Sequence, residues 1–166
     1  MMESRVIPLH SVFQLNTRLF LNSFEDVTDE LARARPTQEN NSMAYIALHL
    51  HDARHYLARY LGVNEADPFA AITAEATGID SIDVYPSVAE LRTAWMEIAM
   101  ALENQFPRLD ARVLDQPSPE DAPDFPVGDR SVLGGVAFLI QHESYHVGQL
   151  AFLRKLLGLP AMSWHT

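Results

Sequence analysis

The sequence predicts an all-α protein, a four-helix bundle with long crossover connections formed by one domain over residues 1–166. Four stretches repeat apolar residues at helical spacing, and none alternates as a strand would. The chain has 166 residues, 48 % of them hydrophobic, enough to bury a core without covalent staples. Two connections, residues 63–85 and 108–130, are longer than a simple hairpin between helices needs, which fits crossover loops.

The first helix is expected over residues 9–24, where Leu9, Phe13, Phe20 and Phe24 share a face flanked by Val12, Leu15 and Leu19. Thr28 reads as the N-cap of a short extra turn that ends before Pro36. A second long helix begins after Ser42 and runs to about residue 61, with Gly62 as its stop. The third follows Pro86 and Ser87, carries Val88, Leu91, Trp95, Ile98 and Leu102 at alternating three- and four-residue spacing, and stops at Pro107. The fourth starts at Ser131 and ends near residue 157, before Gly158 and Pro160.

Composition excludes several classes of function. The net charge of −10 argues against nucleic acid as a partner, because phosphate binding needs clustered Lys and Arg. With no cysteine, disulfides, thiolate metal sites and a cysteine nucleophile are ruled out. Residues 1–10 lack the pattern of a signal peptide, and no apolar run has the length of a membrane span, so a cytoplasmic protein with no membrane partner is expected.

The chemistry-bearing residues are histidines. His142 and His146 stand four apart on the fourth helix and therefore point the same way, at the spacing that shares one ion. A helical wheel places both toward the core, among Phe138, Leu139, Leu153, Leu156 and Leu157, where an unpaired imidazole is costly. On the second helix the wheel takes Ile46, Leu50, Ala53 and Leu57 as the buried stripe, sets His49 on its shoulder, and turns His51 and His55 to solvent. His49, His142 and His146 thus form a candidate half-shell for one divalent ion, with room for a further ligand as in catalytic sites. The competing reading is a set of core histidines bonded to backbone or neighbouring side chains.

The string His142-Glu143-Ser144-Tyr145-His146 also matches the zinc-protease motif. No third ligand follows in register and no strand is predicted to hold a peptide, so that reading is set aside. A di-iron carboxylate bundle lacks its second Glu-x-x-His pair, and nothing beyond a lone axial histidine speaks for haem.

Residues Ile46 to Leu50 and His142 to Leu150, with the tail Arg154-Lys155-Leu156-Leu157-Gly158, resemble the DinB/YfiT-like superfamily, as do the order and length of the four helices. The resemblance implies a four-helix bundle in which His49, His142 and His146 bind a divalent metal, zinc or nickel first, with iron or manganese as further options. Gln149, in the His-x-Gly-Gln pattern, is either a residue that orients a ligand or bound water or a helix-packing hydrogen bonder. Gly148 is expected to permit close helix approach.

Some members of that family resemble transferases that act on a low-molecular-weight thiol. The resemblance therefore implies a metal-dependent transferase or isomerase acting on a small molecule with a low-molecular-weight thiol, and hydrolysis by a metal-bound water is a second form of the same idea. The alternative is a non-catalytic metal-binding bundle linked to stress. A homodimer is expected through apolar residues outside the core stripes, Leu48 and Phe152 among them.

Overall fold

Four long helices and three short ones make up the computed structural model, which describes residues 2–165. In chain order they are α1 (Val6–Ser23), α2 (Asp29–Arg33), α3 (Met43–Tyr60), α4 (Ala70–Glu75), α5 (Val88–Gln105), α6 (Ala111–Leu114) and α7 (Val132–Leu156). Helix α7 packs on α1 and α3, and α5 packs on α3 and α1, which closes the bundle. The two long connections hold α4 and α6 respectively. Among the described residues there is no strand beyond a single bridge between Pro117 and Ser131, and no helix is long and apolar enough to cross a membrane.

The helix starts follow from their caps. The hydroxyls of Thr28, Ser42, Ser87 and Ser131 accept from the backbone N–H three residues on. At Ser87 the Glu90 carboxylate also accepts from the Ser87 N–H at 2.8 Å, completing a capping box. Gly62 and Gly158 adopt φ of 76° and 79° just past the ends of α3 and α7, the left-handed turn that glycine makes without Cβ strain.

Helix α3 is covered more completely than its apolar pattern suggests, because α2, α4, α5 and α7 all pack on it. The positions that stay fully or partly open are Tyr45, His49, Asp52, Ala53, Tyr56, Arg59 and Tyr60. His51 and His55, expected in solvent, are buried. Leu48 is buried too, so the apolar surface expected for self-association loses Leu48 and keeps Phe152, which is 62 % exposed. Gly148 is likewise not a packing residue, since it is exposed with open space around its Cα. Close approach occurs instead at Gly135, where a Cβ would lie 2.2 Å from the Tyr60 hydroxyl.

The apolar core forms two clusters, one around Phe20, Trp95 and Leu150 and the other around Phe13, Leu102 and Val136. Between them runs a buried polar layer. Arg54 of α3, 0 % exposed, donates through Nε and Nη2 to both carboxylate oxygens of Glu143 of α7 at 2.8 and 2.9 Å. Its guanidinium lies between the rings of Trp95 and Phe13, 3.4 and 4.4 Å from their centroids. Thr17 accepts a further bond from Arg54, and buried Asn16 ties α1 to Ser144 and the Ile140 carbonyl. All four long helices therefore meet in this layer, through Asn16 and Thr17, Arg54, Trp95 and Glu143.

His51 lies above it, edge-on to Phe20, Phe69 and Trp95, and its Nε2–H donates to the Leu91 carbonyl at 2.9 Å. Burial pushes this imidazole from 6.5 down to about 3. The folded protein thus refuses a proton that the unfolded chain accepts below 6.5. Stability from this group is full above 6.5 and is lost as pH falls toward about 3, and it amounts to about 2 kcal/mol between pH 7 and pH 5. In urea titrations at those two pH values, His51→Phe is expected to shrink the difference in unfolding free energy by that amount. An unchanged difference would show that His51 does not carry it.

Candidate metal centre

His49 projects from the open stripe of α3, and His142 and His146 stand one turn apart on the facing shoulder of α7. The three imidazoles converge as the sequence suggests, with one ligand atom from each ring lying within 4.8 Å of the others. His142 Nε2 is 3.1 Å from the Nε2 of His49 and 3.1 Å from that of His146. The cluster sits at the rim of the bundle and not in its interior. His142 and His146 are half-buried, and His49 is the most open of the three.

The inward direction on α7 belongs to Val136, Ile140, Glu143, Val147 and Leu150. Glu143, adjacent in sequence to His142, consequently points away from the imidazoles into the ion pair with Arg54. Its carboxylate is not free to serve as a general base at the cluster, which removes the zinc-protease reading on geometric grounds.

The proton positions favour a cation. Gln149 Oε1 lies 2.7 Å from His146 Nδ1, and an amide oxygen only accepts, so His146 holds its proton on Nδ1 and turns a lone pair toward His142. His142 Nε2 faces two neighbours, and a single ring proton cannot occupy both 3.1 Å contacts. His142 Nδ1 is buried without a partner. Three nitrogens that crowd in this way are poorly satisfied by one another. An ion bound at about 2.0–2.1 Å in tetrahedral directions separates its ligand nitrogens by roughly 3.3 Å, close to the spacing found. The residues present therefore fit a divalent metal, and the triad could hold one.

Electrostatics keep the ligand atoms available. Burial, then repulsion from His146 and His49, lowers His142 to about 4. His49 is lowered by burial against an opposing pull from Asp52, and His146 by burial against its bond to Gln149. Neutral imidazoles are the ligand form. Gln149 supports His146 and in turn donates to the Tyr145 hydroxyl at 3.3 Å.

Beside His49 lies a cleft of about 180 Å³ whose wall includes Tyr45, Asp52, Thr73 and Ile82. The long connection carrying α4 supplies one side of it. Sequence reasoning missed Asp52 and Tyr45. Their spacing of three and four from His49 on one helix was the available signal.

No curated protein matches this chain. The model of the DinB superfamily matches residues 13–150, a span that contains all three imidazoles and Gln149 together with the helices that carry them. The chain belongs to the DinB superfamily.

Proposed function

We propose that this protein binds one divalent metal ion through His49, His142 and His146 and uses it in a transferase or hydrolase reaction on a small molecule, with a low-molecular-weight thiol as the favoured nucleophile. The observation that carries this reading is the convergence of three neutral imidazole nitrogens at a half-exposed rim next to a cleft. Three protein ligands in an accessible site leave a coordination position for a reactant, unlike a closed structural site. Bound there, a zinc or nickel ion, or iron or manganese, supplies Lewis acidity that lowers the pKa of a thiol or water. Gln149 holds the His146 tautomer that presents Nε2. Tyr45, Asp52 and the α4 connection would receive the second reactant in the cleft.

The direct test is an assay of zinc- and nickel-loaded protein with bacterial low-molecular-weight thiols and electrophiles, alongside ester and amide hydrolysis. Turnover that needs the metal and disappears in His146→Ala is expected. No turnover in any metal form, with thiol or water, would overturn the enzymatic reading.

Gln149→Ala removes the acceptor that fixes His146. It is expected to raise the metal dissociation constant about 10–100-fold while leaving the thermal midpoint of the metal-free protein within a few degrees of the parent. Competition with a chromogenic chelator measures the first quantity, and an unchanged affinity would show that the Gln149 contact is packing alone.

A further inference from the structure

A second polar cavity, of about 290 Å³, opens on the seam between α3 and α5, whereas the histidine cluster spans α3 and α7. His55 forms part of its wall and is 3 % exposed at the side chain. The His55 Nδ1–H donates to the His51 carbonyl at 2.9 Å, and Asp67 Oδ1 stands 3.9 Å from the same nitrogen. Both neighbours hold a proton on Nδ1, and in the tautomer this selects Nε2 is the acceptor nitrogen. Among the described residues nothing donates to that nitrogen. It is also absent from the fully enclosed unpaired atoms, which are His51 Nδ1, Arg54 Nη1 and His142 Nδ1, so the opening reaches it.

A nine-tenths-buried acceptor at an accessible cavity calls for a ligand that donates a hydrogen bond. The rest of the wall defines its charge and shape. Glu65 and Glu97 place two carboxylates there, Asn104 adds an amide, and no Lys or Arg takes part. Ile98 and Met100 supply apolar surface. The polar groups are spread out. Outside the triad, no three candidate ligand atoms among the described residues come within the 4.8 Å that the histidines achieve, which disfavours a second metal centre.

We propose that this cavity binds a small aliphatic amine as its ammonium ion. One ammonium N–H donates to His55 Nε2, Glu65 and Glu97 balance the charge, and the carbon chain lies along Ile98 and Met100. This site is separate from the proposed metal centre and does not depend on it.

The test is calorimetric titration of the whole protein with 1,4-diaminobutane, with 1,4-butanediol as the uncharged control of equal length. Saturable binding of the diamine is expected, with none of the diol. Glu65→Gln and Glu97→Gln, both exposed substitutions that leave the fold intact, should each weaken it about tenfold, and His55→Phe should abolish it. If His55→Phe fails to fold, the two glutamate variants still decide. Binding should persist in His142→Ala, which distinguishes this cavity from amine coordination at the triad. The absence of saturable binding at millimolar diamine would overturn the proposal. So would equal binding of the diol, undiminished affinity in the double glutamate variant, or loss of binding in His142→Ala.

Discussion

Glu143→Ala is expected to destabilise the protein by about 3–5 kcal/mol, because it strands a buried guanidinium without its counter-ion. Arg54 has no exposure with which to recover water, and its Nη1 is already unpaired. The Trp95 and Phe13 faces offset only part of the loss, each contributing on the order of 2 kcal/mol. Against a total stability of about 5–15 kcal/mol, this single change removes a large share. The paired replacement Arg54→Met with Glu143→Leu removes both charges and fills similar volume, so it should lie far closer to the parent. Urea unfolding of the two variants measures the contrast. A loss below about 1 kcal/mol for Glu143→Ala would mean that the pair is not the fastening between α3 and α7 that its geometry describes.

His142→Ala is expected to raise the metal dissociation constant by more than 100-fold, beyond the upper end expected for removing a supporting partner such as Gln149. His142 is the central imidazole, 3.1 Å from each of the others, and without it the remaining two cannot enclose an ion from three sides. Stability should respond in the opposite sense. The metal-free variant loses an unpaired buried Nδ1 and the crowding of ring nitrogens that cannot satisfy one another, so it should unfold within about 0.5 kcal/mol of the parent or slightly later. Zinc at 100 times its dissociation constant should stabilise the parent by about 2.7 kcal/mol and leave the variant unmoved. Thermal unfolding with and without zinc separates the two effects, and equal stabilisation of both proteins would place the ion elsewhere.

Much of this architecture is written in local signals. Ser42, Ser87 and Ser131 cap helices within one residue of the expected starts, and Gly62 and Gly158 end them, because capping and left-handed turns depend on neighbouring residues alone. The histidine cluster was legible for a similar reason, since i and i+4 on a helix share a face whatever packs against it. Orientation was not. Helix α7 is apolar on nearly every side, with exposed Phe152 and Leu156 as well as buried Val136 and Leu150, so its periodicity points weakly and the wheel turned the histidines too far inward. Glu143 occupies the true core direction, which no hydrophobic pattern assigns to a carboxylate unless its partner Arg54 is known. On α3 the reading assumed one solvated face, but four neighbouring helices cover it, and His51, Arg54 and His55 became interior groups. Such burial is a property of the assembled bundle, not of any one segment.

The central claim is that three imidazoles from two helices hold one ion. Zinc titration of chelator-stripped parent and His49→Ala, read by calorimetry and checked by elemental analysis, tests it most directly because His49 is the one imidazole of the triad that α3 contributes. One zinc per chain in the parent, with site occupancy largely lost in His49→Ala, is the predicted result. A parent that takes up no zinc, or a variant that binds it with unchanged affinity, would contradict the account.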